Sequence, residues 1–302
     1  MGKKDQPKGG RGVVPAPITP LQENGKINLP LLERQVQYLS AAGVDGFFVG
    51  GTTGEGPYLK RDERIEVFKT VREVSGGSQL LYLACINPST ESTVEEIRAF
   101  AHLEPDFIVV VAPFYYDASQ PAIAQHFREI AICSEKPLVL YNIPQCTHNI
   151  IELGTILELS EVKNISGIKD SSGDFVSFRQ GLDSTSTNDF FWFQGFDYLD
   201  GPSLMLGAHG LVTGLGNVWI EPYVALYHAA KNGNVEQVKE NQRKIDSLHR
   251  IIRAASAKII PSIKAGCSIL GRSEKWMKLR YSELNSEEIS RVKEVLVELE
   301  LL

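Results

Sequence analysis

Short apolar runs alternate with longer stretches of helical period along almost the whole chain. Eight such runs occur in the 302 residues, at 13–18, 46–49, 79–85, 107–111, 137–141, 165–169, 190–194 and 210–213. The segments between them space apolar residues three and four apart, which is the pattern of parallel strands joined by helices. Beyond Thr213 only helical segments follow, over 222–231, 234–256, 259–270 and 287–301.

Eight strand–helix units within about 250 residues predict an α/β fold, a (β/α)8 TIM barrel, with a C-terminal helical extension. We expect a disordered tail over 1–11, the barrel over 12–220 and a helical layer packed on it over 221–302. Asn28 followed by Pro30, and Ser92 followed by Glu95, indicate helix starts. An open doubly wound sheet is the alternative, but neither of the usual phosphate-binding glycine motifs occurs.

Composition and charge limit the classes of partner. The net charge is −6 with both signs mixed along the chain, which gives no basic surface for nucleic acid or membrane. No apolar stretch approaches the roughly 18 residues of a membrane span, and the polar start is unlike a signal peptide. The four cysteines are widely spaced, so we expect reduced thiols in a cytoplasmic protein whose partners are small molecules.

Lys169 and Tyr141 close two consecutive apolar runs. The active site of a barrel forms where strands end, so these side chains should be neighbours there. A low-dielectric interior disfavours an ammonium ion and favours an amine that attacks carbonyl carbon, and a phenol beside it can move protons. The alternative is structural, with Tyr141 packing in the core and Lys169 extending to solvent.

A glycine-rich loop, Gly50-Gly51-Thr52-Thr53-Gly54-Glu55-Gly56, follows the second run. Its glycines and hydroxyls allow backbone N–H groups to converge on an anion such as a carboxylate. A tight turn is the alternative. In either case we expect Glu55 to be a buried hydrogen-bond acceptor that holds the loop.

Three motifs carry a resemblance to a known family: GGTTGEG at 50–56, YNIP at 141–144 and GIKDSSGD at 167–174. In this order and spacing they resemble the dihydrodipicolinate synthase/N-acetylneuraminate lyase family over residues 12 to 300. The resemblance implies that Lys169 forms an imine with pyruvate or another 2-oxo acid, without metal or organic cofactor.

The resemblance also implies the other roles and the assembly. Thr52 and Thr53 would bind the substrate carboxylate, and Tyr141 would pass its proton through Thr53 to Tyr115 from a neighbouring subunit. The assembly would be a homotetramer, a dimer of dimers. Further substrate contacts are implied for Gly51, Cys146, Ser171, Asp197 and Gly214.

Two departures from family patterns bear on the substrate. Synthases that make the lysine precursor normally carry an arginine where this chain has Cys146, and sialic acid lyases carry Asp-Glu where it has Asp197-Tyr198. We therefore expect an aldolase that releases pyruvate from a 2-keto-3-deoxy sugar acid or a 4-hydroxy-2-oxo acid. Three alternatives stay open: 4-hydroxy-tetrahydrodipicolinate synthase, N-acetylneuraminate lyase, and a 2-keto-3-deoxy sugar acid dehydratase.

Two rival classes are less consistent with the residues. A metal-dependent barrel enzyme needs carboxylates or histidines at several strand ends, whereas the six histidines are scattered and none has a partner three or four residues on. A non-catalytic sugar-acid sensor has no use for an imine-forming amine. We expect no metal site.

Overall fold

The computed structural model describes residues 10–186 and 189–302. Of the expected tail, residues 1–9 lie outside the described residues, whereas Gly10 is buried. Among the described residues, no helix combines the length and the apolar character needed to cross a membrane.

In the part of the chain that the structure describes, eight strands form one sheet in the order β1-β8-β7-β6-β5-β4-β3-β2. From β3 to β8 each strand pairs in parallel with the next one along the chain. The strand bounds are β1 Gly12–Pro15, β2 Gly46–Val49, β3 Leu80–Cys85, β4 Phe107–Val111, β5 Leu138–Asn142, β6 Ile165–Asp170, β7 Phe191–Gln194 and β8 Gly210–Thr213.

Helices alternate with the strands and continue after the last one, as a (β/α)8 barrel with a C-terminal helical extension requires. Among the described residues, eight α-helices lie between strands: α1 Leu29–Ala41, α2 Arg61–Ser75, α3 Thr90–Phe100, α4 Gln120–Cys133, α5 Pro144–Thr147, α6 Leu153–Ser160, α7 Phe175–Ser184 and α8 Asp200–Met205. The described helices after β8 are α9 Glu221–Lys231, α10 Val235–Leu248, α11 Arg250–Ala254, α12 Ile259–Ile269 and α13 Ser286–Glu298. The fold class predicted from the sequence is therefore confirmed.

The chain divides into two compact units by the contacts between its residues. Of the described residues, the first unit contains 10–12, 80–186 and 189–212, and the second contains 13–79 and 213–302. In the second unit the ends of the sheet are joined. The N–H of Asp45, just before β2, donates to the carbonyl of Val13 in β1, and the N–H of Ala16 donates to the carbonyl of Thr213 in β8.

Aromatic rings fill the first unit near the starts of its strands. Tyr82 stacks on Phe107 with ring centroids 4.9 Å apart, and Phe107 meets Phe191 edge to face at 5.5 Å. Gly167 leaves room for this layer, since a Cβ there would lie 2.4 Å from the Phe191 ring. Side chains two residues apart on a strand share a face, so Lys169 lies one layer beyond these rings, nearer the strand ends.

Two details of the helices differ from the sequence prediction. Helix α3 begins at Thr90, because the Ser89 hydroxyl caps it by accepting from the Ser92 N–H, so Ser92 is inside the helix. The segment expected as one helix over 234–256 is two, α10 and α11, separated at His249, whose backbone dihedrals remain helical. The Asn28 start is confirmed, with its side chain accepting from the Leu31 N–H.

Candidate active site

Lys169 and Tyr141 face each other on adjacent strands of the first unit. They are paired in register between β5 and β6, and the Lys169 Nζ lies 4.0 Å from the centroid of the Tyr141 ring. Both side chains are buried, at 6% and 3% exposure. The neighbour relation expected from consecutive strand ends is present, so an amine and a phenol share a site of low water access.

Asp170 follows Lys169 and points to the opposite face of β6, as the alternation of a strand requires. Its Oδ1 accepts from the Ser172 N–H at 2.8 Å and from the Asn142 Nδ2 at 3.4 Å. Burial raises the pKa of the Asp170 carboxyl to about 6, although the bonds from Ser172 act in the other direction. Asn142 in turn accepts from the Ile151 N–H at 3.0 Å. Asp170 and Asn142 thus fix the ends of β6 and β5 behind the facing pair.

The segment after β7 lies directly against the Lys169 side chain. A Cβ on Gly195 would be 3.0 Å from Lys169 Cε and 2.3 Å from Ser171 Oγ. Ser171 donates its hydroxyl to the carbonyl of Gly195 at 3.1 Å. Asp197 is half-buried at the start of a short 3-10 turn after this segment. Sequence reasoning missed Gly195, whose role is the absence of a side chain.

Cys146 lies on α5, the short helix that follows β5. Gln145, the preceding residue, donates its Nε2 to the carbonyl of Ser171 at 2.8 Å, which joins α5 to the loop after β6. Cys146 is exposed, yet loss of hydration raises the pKa of its thiol, and the charge of Lys169 opposes this. Cys146 therefore presents a thiol within the electrostatic reach of Lys169.

The glycine-rich loop belongs to the second unit, where Thr52 and Thr53 are half-buried. A Cβ on Gly214, after β8, would lie 2.8 Å from Thr53 Oγ1, so Gly214 makes the space that this hydroxyl occupies. Gly51 is packed against the Phe48 ring, from which a Cβ would be 2.4 Å away. Thr19 donates to the carbonyl of Gly54 at 2.7 Å.

Glu55 is buried at 3% exposure, as predicted, and accepts two bonds. Its Oε1 accepts from the Nζ of Lys264 at 2.5 Å and its Oε2 from the N–H of Lys278 at 2.8 Å. Sequence reasoning missed Lys264. The signal was a lysine inside the apolar segment from Ile259 to Ala265, where a charge needs a partner.

Tyr115 extends from the loop after β4 with 81% of its surface exposed. Its backbone φ of 86° lies in the left-handed region, which is strained for a residue with a bulky side chain. Asn149 braces this loop by donating to the carbonyls of Pro113 and Tyr116, both at 2.8 Å. Tyr116 meets Tyr115 edge to face, with ring centroids 5.0 Å apart. The Tyr115 side chain therefore projects away from the rest of its own chain in the part of the first unit that the structure describes.

The described residues include no cluster of three or more His, Cys, Asp or Glu side chains that could hold a metal ion. The absence of a metal requirement stays a prediction. The roles of these residues in catalysis and substrate binding likewise stay predictions.

Comparison with known proteins identifies the class. The model of the dihydrodipicolinate synthetase family matches residues 10–299. The 4-hydroxy-tetrahydrodipicolinate synthase of Corynebacterium aurimucosum is 34% identical over 74% of this chain and 74% of its own length. That of Moorella thermoacetica is 30% identical over 96% of this chain and 98% of its own length.

A solved structure of a dihydrodipicolinate synthase has a similar fold. The chloride-inhibited dihydrodipicolinate synthase from Acinetobacter baumannii, complexed with pyruvate, matches with a TM-score of 0.91 at 26% identity, covering 97% of this chain and 99% of that chain. The barrel, the buried lysine and these matches define an enzyme of the lyase class, an aldolase of the Schiff-base type. The chain belongs to the dihydrodipicolinate synthase family.

Proposed function

We propose that this enzyme reversibly cleaves a 2-keto-3-deoxy sugar acid or a 4-hydroxy-2-oxo acid to pyruvate and an aldehyde, with Lys169 as the nucleophile. The observation that carries the proposal is the buried Lys169 Nζ, 4.0 Å from the centroid of the Tyr141 ring. A free amine adds to a ketone carbonyl, and a neighbouring phenol can move the protons that imine chemistry requires.

The reaction begins when the Lys169 amine adds to C2 of the substrate and water leaves, which gives an iminium ion. Tyr141 gives its proton to the departing hydroxyl group, and the phenolate that remains accepts the proton of the C4 hydroxyl while the C3–C4 bond breaks. The aldehyde departs, and the electrons of that bond form an enamine. Protonation of the enamine at C3 and addition of water at C2 release pyruvate and restore the amine. The iminium ion is the electron sink, so the reaction needs no metal or organic cofactor.

The remaining roles follow from family membership. Thr52 and Thr53 bind the carboxylate of the 2-oxo acid, and Thr53 passes protons between Tyr141 and the Tyr115 of a neighbouring subunit in a homotetramer. Further substrate contacts are assigned to Gly51, Cys146, Ser171, Asp197 and Gly214. The exposure and backbone conformation of Tyr115 support a role outside its own chain. The four free thiols support placement in the cytoplasm.

A second candidate is the synthase reaction, in which pyruvate condenses with aspartate semialdehyde. Two relatives named as synthases favour it. The thiol of Cys146 weighs against it, because it provides no charge-assisted bond to a second carboxylate, a contact worth roughly 1.5 to 3 kcal/mol. A panel of 2-keto-3-deoxy acids, 4-hydroxy-2-oxoglutarate, N-acetylneuraminate, and pyruvate with aspartate semialdehyde separates the candidates. Efficient turnover of the last pair alone would reject the aldolase assignment.

The nucleophile is tested by trapping. The protein is incubated with pyruvate and cyanoborohydride, digested, and searched by mass spectrometry for the reduced adduct. We expect the adduct on Lys169, no adduct in Lys169→Met, and an unchanged adduct in Lys163→Met, which removes an exposed lysine. An adduct on another lysine, or none in the unmodified protein, would overturn the mechanism.

A further inference from the structure

Lys264 is a fully buried lysine whose charge is paired with the glycine-rich loop. It lies on α12 with 0% exposure, and its Nζ donates to Glu55 Oε1 at 2.5 Å and to the carbonyl of Trp276 at 2.6 Å. Glu55 completes its coordination by accepting from the N–H of Lys278 at 2.8 Å. All four residues belong to the second unit. One ion pair therefore links the loop, α12 and the segment that follows α12.

The pair holds the loop at its most constrained residue. Glu55 has a φ of 55°, the left-handed region that a side chain disfavours. Its N–H donates to the carbonyl of Thr52 at 3.0 Å, and the next N–H, of Gly56, donates to the carbonyl of Gly51 at 3.1 Å. A shift of Glu55 would therefore move Thr52 and Thr53 with it.

The same helix also contacts the space around Thr53. A Cβ on Gly214 would lie 2.8 Å from Thr53 Oγ1 and 3.4 Å from Ile263 Cδ1, so these two side chains border the same position. Ile263 is the residue before Lys264 on α12. Helix α12 thus faces the loop with an apolar contact beside Thr53 and an ion pair at Glu55.

A buried ion pair is a costly way to stabilise a fold, because both charges lose their hydration. Burial lowers the pKa of the Lys264 ammonium group, and the charge of Glu55 opposes that change. A pair of apolar or neutral side chains of similar volume commonly stabilises a fold as well as or better than such a pair. What the charged pair adds here is a directional constraint, since Lys264 and Lys278 together fix both oxygens of Glu55.

We propose that Lys264 and Glu55 are positioning residues that set Thr52 and Thr53 for the carboxylate of the 2-oxo acid. The inference rests on the proposed function and extends it to a pair that touches no substrate. The loop loses its selectivity for a carboxylate when the pair is neutralised, while the amine chemistry at Lys169 continues.

The test is the double variant Glu55→Gln/Lys264→Met, which removes both charges and keeps the volumes close to the original. Trapping with cyanoborohydride is measured against the concentration of pyruvate and of methyl pyruvate, whose ester carries no negative charge. We expect half-saturation by pyruvate to need about ten times more ligand, because charge-assisted bonds to the carboxylate are lost. Half-saturation by methyl pyruvate should stay within about twofold, as for a ligand that never made those bonds.

A matched control is available in the same unit. Lys258 and Glu288 form an ion pair of 3.0 Å between the start of α12 and α13, and Glu288 is as buried as Glu55, at 4% exposure. The variant Lys258→Met/Glu288→Gln neutralises this pair and keeps a glutamine in the capping position of α13. It should alter thermal stability and leave both half-saturation concentrations unchanged.

Each outcome is informative. Equal weakening for pyruvate and methyl pyruvate, or no weakening for either, would show that the pair is structural and would overturn the inference. No adduct on Lys169 in the unmodified protein would instead remove the proposed function beneath it.

A second measurement uses the unmodified protein, so it tests the inference even if the double variant does not fold. In the unmodified protein, pyruvate should slow amide exchange in 51–58 and also in 276–279, which hold Glu55, but not in 285–290. Protection of the loop without protection of 276–279 would contradict the inference.

Discussion

The Lys169 side chain passes over Gly195, where a residue with a side chain does not fit without movement. A Cβ on Gly195 would be 2.3 Å from Ser171 Oγ, 3.0 Å from Lys169 Cε and 3.1 Å from the carbonyl oxygen of Asp170. A Cβ less than 3.0 Å from another heavy atom forces one of the two to move, and here the nearest atom is the Ser171 hydroxyl oxygen, just after the end of β6. Gly195 therefore leaves the space that the Lys169 side chain and the Ser171 hydroxyl occupy.

Gly195→Ala should displace the amine. We expect the rate of adduct trapping with pyruvate to fall at least about tenfold, and the free energy of unfolding to fall by about 1 to 3 kcal/mol, as in other overpacked sites. Gly154→Ala is the matched control, because a Cβ at that position in α6 meets no atom within 4 Å. The control should trap pyruvate normally and be equally or slightly more stable. Normal trapping by Gly195→Ala would show that the strand end accommodates a methyl group.

The residues differ in how far the sequence reveals them. The approach of Lys169 to Tyr141 was predictable, because both close apolar runs and parallel strands align their ends. Gly195 was not, because a glycine in a loop looks the same whether it serves a turn or a neighbour's side chain. Asn149 and Lys264 act through partners 36 and 209 residues away, and no local pattern gives the partners of such contacts.

At the scale of elements, His126 joins β4 to two helices. Its Nε2 lies 3.1 Å from the carbonyl of Val111, the last residue of β4, and its Nδ1 lies 2.9 Å from the hydroxyl of Thr90 at the start of α3. A neutral ring that donates from Nε2 and accepts at Nδ1 satisfies both contacts. Burial lowers the pKa of His126 to about 4, while the bond to Val111 and the charge of Glu129 oppose this.

This histidine should make the fold sensitive to acid. An unfolded histidine takes up its proton near pH 6.5 and the folded one near pH 4, so the unfolded state binds more protons in between and stability falls as the pH falls. Between pH 7 and 4.5 the His126 contribution should cost about 2 to 3 kcal/mol. Urea unfolding at several pH values measures it as the difference between the unmodified protein and His126→Gln.

The difference in unfolding free energy between the unmodified protein and His126→Gln isolates the histidine, because Asp170 changes the stability in the opposite direction as the pH falls. Its pKa is raised to about 6, so the folded state binds the extra proton below that pH and gains stability as the pH falls towards the ordinary aspartate range. Parallel pH profiles for the unmodified protein and His126→Gln would show that His126 is protonated in the fold without penalty.

Element boundaries were predicted less well than element order. The sequence offers two serines that can cap α3, and Ser92 with Glu95 matches the capping-box pattern. The chain uses Ser89 because the segment after β3 turns immediately beyond Pro88, and Asn87 is then held by Glu96 at 2.8 Å. Strands β2, β4 and β8 coincide with their apolar runs, and each begins where a less buried residue is followed by a buried one.

At the scale of the whole molecule, Tyr115 is the residue whose proposed role needs a second copy of the chain. It has a strained backbone, and its loop is held by the Asn149 side chain, which also accepts from the Ala118 N–H at 2.9 Å. Strain of this kind costs on the order of 1 to 3 kcal/mol and persists when the surrounding contacts enforce it. A tyrosine with 81% exposure gains nothing from that strain within its own chain.

Subunit mixing tests whether Tyr115 completes the site of a neighbour. Lys169→Met and Tyr115→Phe should each lose most turnover, the first by losing the imine and the second by losing a proton relay. Random exchange of subunits between the two variants makes half of the pairs mixed. If Tyr115 acts in the partner, each mixed pair has one intact site, which combines Lys169 of the Tyr115→Phe chain with Tyr115 of the Lys169→Met chain. Turnover should then return to about a quarter of the original.

Tyr116→Phe is the control for this experiment. It alters the adjacent exposed ring and should stay active without mixing. If Tyr115 acts within its own chain, mixing leaves turnover at the level of the separate variants, because every site then keeps the defect of its own chain.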